Sequence, residues 1–301
     1  MKAITKLQLL TLLVLLLPAL SAGADSGAAD TFEENLTVTE AMTLDVNTGS
    51  GSIEISSGPG RDVKITGKIK VQRSSFWRRN ANAEEIIQQV IDNPPIEVSD
   101  GLVRVGRFED RSLGRRVSIS YKIVVPADSE VRASTGSGSI SVDDIAARVN
   151  ADSGSGRLRL ANIGGYVEAS TGSGSIRAEK VAGGFKSSCG SGSVYLSQTA
   201  PGDVSVSTGS GSIELTGIVG SLKADAGSGR IKVDGRQEGD WEIDSGSGSI
   251  RARLPDDAAF VLDAESNSGG IVVDHPVMVQ GKASKRHPVS YTHLTLPTIT
   301  E

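Results

Sequence analysis

Apolar and polar residues alternate with a period of two along most of this chain, and glycines cut the alternation into short runs. Before Gly154, Val149, Ala151 and Ser153 alternate with Asn150 and Asp152; after it, Leu158 and Leu160 alternate with Arg157 and Arg159. Strands with one buried face show this pattern. The unit recurs as NTGSGSI from Asn47, STGSGSI from Ser134, DSGSGRL from Asp152, STGSGSI from Ser170 and SCGSGSV from Ser188. It continues as STGSGSI from Ser207, DAGSGRI from Asp225, DSGSGSI from Asp244 and a decayed ESNSGGI from Glu265. From Gly136 the intervals between equivalent positions are 18, 18, 18, 19, 18, 19 and 21 residues. A fixed period of this length is the mark of a solenoid, in which each copy is one coil stacked on the last.

Aligned on the first glycine, the copies form columns. Five residues before it stand Leu44, Val131, Val149, Val167, Phe185, Val204, Leu222, Trp241 and Leu262. Three before it come small or branched residues from Val46 to Ala264, and one before it Thr48, Thr135, Ser153, Thr171, Cys189, Thr208, Ala226, Ser245 and Ser266. After the corner, the columns Ile140 to Ile271 and Val142 to Val273 take over. Each coil is therefore predicted to hold two short strands joined by a Gly-Ser-Gly corner, with glycine expected there for backbone angles that a Cβ disfavours. Equivalent strands stack in register at about 4.8 Å per coil. The expected fold is all-β: a parallel β-solenoid with coils of about 18 residues. A narrow interior of this kind explains why aromatic residues make up only 4% of the chain.

Residues 25–126 hold the first copy and then lose the register. Val63–Val71, Leu102–Val105 and Val117–Val125 still alternate as strands. Asn82–Ile91 is the one good helix of the mature chain, with Asn82 as N-cap, Glu84 and Glu85 in the first turn, and Asn93-Pro94-Pro95 as the stop. This β-rich segment is expected to cover the first coil, because an open parallel edge needs a cap. The repeat domain occupies 127–280.

At the amino terminus, Lys2 and Lys6 precede the apolar run Leu9–Leu20, and Ala22-Gly23-Ala24 supplies small residues for cleavage, so residues 1–24 read as a signal peptide. No cysteine stands directly after that run and no second run is long enough to span a bilayer, which predicts a periplasmic or extracellular chain without a lipoprotein anchor. Residues 281–301 form a tail in which Val289–Thr298 (VSYTHLTLPT) breaks the pattern and resembles a translated sequencing adapter. On that reading Tyr291 and His293 belong to no native fold, and the native C-terminus is missing.

Composition narrows the chemistry. A net charge of −5 argues against a nucleic-acid partner. The single cysteine, Cys189, falls in the small inward column as a core residue and has no partner for an internal disulfide. His275, His287 and His293 all lie near the C-terminus, which leaves little material for metal or Ser-His chemistry, and no cofactor is expected. Asp225 and Asp244 occupy one outward column on neighbouring coils, roughly 5 Å apart. Nothing else converges on them, so solvated residues before a turn is the simpler reading and no enzyme is expected.

Two groups remain as binding candidates. The outward column after the corner reads Ser141, Arg159, Arg177, Tyr195, Glu214, Lys232 and Arg251, with Arg157 and Arg230 two residues earlier. A face carrying Arg159, Arg177, Tyr195, Lys232 and Arg251 suits an acidic polysaccharide or another envelope polymer. The second group is Phe76, Trp77, Arg78 and Arg79, aromatic and basic residues together.

The TGSGSI phrase, Tyr121-Lys-Ile-Val-Val-Pro-Ala-Asp128 leading into the array and Leu254-Pro-Asp-Asp257 leading into its last copy together resemble the bacterial putative-adhesin family of β-strand-repeat proteins, a domain of unknown function. The resemblance spans about Thr31 to Gln280. It implies the solenoid fold and no catalytic residues. The function expected is that of a secreted, non-enzymatic adhesion or binding scaffold of the cell envelope, with envelope polysaccharide or a surface protein as partner. A carbohydrate-active β-helix enzyme and an envelope stress sensor are the alternatives.

Overall fold

The computed structural model describes residues 29–71, 83–108, 110–258, 260–264 and 289–291. In chain order the first part contains β1 (Ala29–Thr37), β2 (Thr43–Thr48), β3 (Ile53–Gly58), β4 (Asp62–Val71), α1 (Ala83–Asp92), β5 (Ile96–Ser99), β6 (Leu102–Val105), α2 (Arg111–Gly114) and β7 (Val117–Pro126). The array follows as β8 (Glu130–Thr135), β9 (Ile140–Asp143), β10 (Val149–Ser153), β11 (Leu158–Ile163), β12 (Val167–Thr171), β13 (Ile176–Val181), β14 (Phe185–Cys189) and β15 (Val194–Gln198). It ends with β16 (Val204–Thr208), β17 (Ile213–Ala226), β18 (Ile231–Ser245) and β19 (Ile250–Arg253); β20 (Leu262–Ala264) and β21 (Val289–Tyr291) form a separate antiparallel pair.

The array is a parallel β-solenoid with two ladders. Strands before the corner pair in the order β2, β8, β10, β12, β14, β16, then the second halves of β17 and β18. Strands after the corner pair as β3, β9, β11, β13, β15, then the first halves of β17 and β18, and finally β19. The register follows the sequence columns: Val131, Val149, Val167, Phe185, Val204 and Leu222 are neighbours across successive strands, and all are buried. Ser187 stands where three preceding coils have Ala133, Ala151 and Ala169, and its buried hydroxyl has no partner among the described residues.

The corner glycines have a different cause from the one expected. None has a φ in the left-handed region. A Cβ on the second glycine of a corner would instead run into the carbonyl oxygen of the equivalent glycine one coil earlier: Gly138 meets Gly51, Gly156 meets Gly138, Gly174 meets Gly156, and so on to Gly248. Coil-to-coil approach, not backbone angle, excludes a side chain there. The residue just before the corner completes the joint. Thr171 Oγ1 accepts from the Gly174 amide at 3.1 Å and donates to the Gly156 carbonyl of the previous coil at 3.1 Å. Thr135 and Ser153 make the same two bonds, and Cys189 Sγ takes the same place. The threonine column is thus buried, as the parity of the strands requires.

The coil also has a second bend, eight residues after the first corner glycine, where Asp144 (φ 64°), Asn162 (φ 55°), Lys180 (φ 56°) and Gly217 (φ 71°) are left-handed. Asn and Asp tolerate this region, whereas lysine has no local polar compensation. Lys180→Asn is therefore expected to raise the thermal midpoint by a few degrees, corresponding to about 1 kcal/mol, and calorimetric melting checks it.

The cap is threaded through the stack. β6 pairs parallel with β2, and β7 pairs parallel with β3, so these later strands lie on the far side of the first coil from β8 and β9. β4 and then β1 extend the sheet antiparallel from β7, and β5 extends it from β6. Helix α1 spans Ala83–Asp92, shifted by one residue from the expected span, and buries Ile86, Ile87 and Val90 in the same core. At the other end the columns loosen: Trp241 and Ile243 are half-buried, and Ile250 is 46% exposed. Leu262 and Ala264, expected to continue the inward columns, pair instead with Val289–Tyr291, the start of the stretch expected to lie outside the fold. The ninth copy from Glu265, Asn82 and residues 1–24 lie outside the described residues.

Candidate functional site

Period-two geometry decides which side chains reach solvent. In each strand after the corner, the residue between the two inward positions faces out, and the in-register pairing brings these residues into one row. Ser141, Arg159, Arg177, Tyr195, Glu214, Lys232 and Arg251 are successive neighbours in that row. Strand spacing sets them about 4.8 Å apart, and Arg157 sits about 7 Å along the chain from Arg159. Arg157, Arg159, Arg177, Lys232 and Arg251 are all exposed.

The row is less uniform than its sequence suggests. Arg177 places its guanidinium carbon 4.4 Å from the centroid of the Tyr195 ring and its Nη2 2.7 Å from Glu179 Oε1. Lys232 Nζ lies 2.8 Å from Glu214 Oε1. Glu214 and Lys232 therefore form a neutral step, which splits the expected basic stripe into two parts. Arg157, Arg159, Arg177 and Tyr195 form one cluster. Arg230 and Arg251 lie beyond the step. Arg159 makes no ion pair among the described residues, and its neighbour Arg177 lies over the tyrosine ring. Exposed pairs such as Arg177–Glu179 contribute little to stability and exchange readily for another anion.

The opposite face, built from strands before the corner, carries alternating charge instead. Glu168 accepts from Arg148 and Lys186 on the two sides, at 3.2 Å each. Lys223 Nζ is 2.7 Å from Glu242, whose hydrogen bond and then whose charge push the lysine above its ordinary range. Asp225 and Asp244 stand directly opposite one another in register, with Lys223 also favoured electrostatically by both. Asp152 accepts a hydrogen bond from Ser170 on the next coil. Among the described residues no three His, Cys, Asp or Glu side chains gather as metal ligands. Phe76, Trp77, Arg78 and Arg79 lie outside the described residues, as do the three histidines.

Sequence reasoning missed a second arginine–tyrosine stack: Arg148 lies 5.0 Å from the ring centroid of Tyr166. The signal was present as a spacing. Arg148 and Tyr166 are one coil apart, as are Arg177 and Tyr195, so each tyrosine is in register with the arginine below it.

The chain is similar to several solved structures at low identity. A putative adhesin from Bacteroides fragilis is 13% identical over 74% of this chain and 97% of its own, with a TM-score of 0.40. A putative lipid binding protein from Parabacteroides distasonis is 15% identical over 74% and 96%, with a TM-score of 0.43. A putative cell adhesion protein from Clostridium sporogenes is 14% identical over 75% of this chain and all of its own, with a TM-score of 0.31. No curated protein matches the chain. Among the described residues no helix is long and apolar enough to cross a membrane. The Toastrack DUF4097 model matches residues 104–293, from the cap strand β6 through the whole array and its last strand pair, and the chain belongs to that family.

Proposed function

We propose that this protein is an exported, non-enzymatic binding scaffold of the cell envelope, and that it holds an acidic polymer along the face that carries Arg157, Arg159, Arg177 and Tyr195. The observation behind this reading is Arg159, which makes no ion pair among the described residues, in register with an arginine held over a tyrosine ring. A rigid ladder fixes these groups about 4.8 Å apart, so a repeating anionic chain meets several cations at little ordering cost. The apolar run and small-residue cleavage site before residue 25 support export.

Binding to an immobilised polyuronate, measured at low and at physiological salt, tests the proposal. The expected result is salt-sensitive retention that falls at least tenfold in the double variant Arg159→Ser, Arg177→Ser, with no change in Lys186→Ser on the opposite face. Equal loss in both variants would make the attraction one of general charge. Unchanged retention in the double variant would remove this face from the function.

A further inference from the structure

The two ends of the stack are finished differently. At the amino end the sheet continues into the antiparallel strands β4, β1 and β5. At the other end the last coil consists of residues 241–245 of β18 and of β19, and among the described residues no strand pairs with the outer edge of either. Its interior is open as well: Ile231 is fully buried, whereas Ile250, its neighbour in the same column, is 46% exposed. An uncovered strand edge with apolar side chains beside it is a template for another strand.

Charge tells which strand fits. The outward residues of the first edge are Glu242 and Asp244, those of the second are Arg251 and Arg253, and all four are exposed. One ladder therefore ends acidic and the other basic. Asp244 is in register with Asp225 on the coil below, and Arg251 with Lys232. Like charges directly opposite are destabilising, so both end residues gain from an opposite charge on their outer side. Lys223 also feels Asp244, but its ammonium is paired with Glu242.

A coil of two strands closes on itself only if the two run in opposite senses. A twofold axis parallel to the strands therefore lays the acidic edge of one copy antiparallel along the basic edge of another, and does so twice. Counted from the Gly-Ser-Gly corner, Ser245 then meets Ile250 of the second copy, Asp244 meets Arg251, Ile243 meets Ala252 and Glu242 meets Arg253. Both charged pairs are opposite in sign, and the other two pairs prolong the inward columns. The other twofold, perpendicular to the sheets, would set acidic edge on acidic edge and basic on basic.

We propose that two copies of this chain associate tail to tail through these edges as an isologous dimer. The antiparallel strands at each amino end face away from the contact, so assembly stops at two. The row of Arg157, Arg159, Arg177 and Tyr195 lies on earlier coils and is left open. Two short strand pairs make a small interface, which sets the expected Kd at about 10 µM.

Sedimentation of the full chain from about 1 to 200 µM tests this. At low salt a reversible monomer–dimer equilibrium is expected, weakened about tenfold at high salt. The double variant Arg251→Glu, Arg253→Glu has two acidic edges and should stay monomeric over this range. Glu242→Arg, Asp244→Arg has two basic edges and should do the same. An equimolar mixture of the two variants restores complementary edges and should form a dimer with one copy of each. Thermal melting of each variant confirms that it is folded before it is sedimented. A parent that is monomeric throughout, which would leave this edge to a strand from elsewhere, overturns the proposal. So does a dimer that either charge reversal leaves intact, or a mixture that stays monomeric.

Discussion

Gly156→Ala, at the second glycine of its corner, is expected to destabilise the protein severely, while Gly49→Ala, at the first glycine of the first corner, is expected to be nearly neutral. A Cβ at Gly156 would sit inside the Gly138 carbonyl, with the Ser153 hydroxyl close behind, whereas a Cβ at Gly49 finds nothing within 4 Å. The obstacle at Gly156 is backbone of a neighbouring coil, so no rotamer change relieves it. The two coils must separate locally, and the ladders on both sides of the corner resist that. Overpacking against movable side chains costs about 1–3 kcal/mol, and a backbone collision belongs at or above the top of that range. A loss of about 3 kcal/mol would lower the thermal midpoint by roughly 6–12 °C in a domain of this size. Gly49 is free because the layer beneath it replaces the corner by the loop from Gly106, so no glycine carbonyl stands under it. Urea titration of both variants separates the explanations. If both lost stability equally, the glycines would be required for the corner itself and not for the approach of one coil to the next.

Thr171→Val is expected to cost about 2–3 kcal/mol, far more than its small change in volume implies. Valine keeps the shape but removes the hydroxyl that serves the Gly174 amide and the Gly156 carbonyl together. Both backbone groups lose their side-chain partner in a tightly packed corner, and an unmet buried polar group costs about 1–3 kcal/mol. The converse substitution lies one coil further on. Cys189 fills the same position with its sulfur 3.1 Å from the Gly174 carbonyl and 3.0 Å from the Gly192 amide, and a thiol is a weak donor and acceptor. Cys189→Thr is therefore expected to stabilise the protein by about 0.5–1 kcal/mol, the worth of an ordinary hydrogen bond in place of a weak one. A Thr171→Val variant that melts with the parent would show that the hydroxyl column is decorative.

The array was legible because each of its contacts repeats. A residue's column determines its burial, its register and its neighbours, so Val149 or Arg159 could be placed from the sequence by counting. Three things escaped for physical reasons. The second bend is filled by Asp144, Asn162, Lys180 and Gly217, which share a backbone conformation but not one residue type, so no column stands out. The cap strands Leu102–Val105 and Val117–Pro126 announce themselves by alternation, but alternation does not name a partner, and here the partner is the coil preceding them in sequence. The charged row was visible as residues, whereas its division was not: Glu214 neutralises Lys232, and Glu179 engages Arg177 from two residues along the same strand. Both ion pairs depend on which way long side chains lean, and period-two parity says nothing about that.

The threading of the cap gives assembly a direction. β2 and β3 are made first, yet one of their edges is filled by β6 and β7 and the other by β8 and β9. A chain that emerges from its amino end therefore cannot finish its first coil until about residue 126 is free, and only then does a complete template face outward. From that point each further stretch of about 18 residues finds a finished edge waiting, and closing it requires only local loop formation. Completion of the cap is therefore expected to be the slow, committing event, with the coils then expected to follow one at a time in the order of synthesis. A lesion in Val117–Pro126 should then delay the whole array, whereas one in Ile250–Arg253 should leave the preceding coils to form at their normal pace.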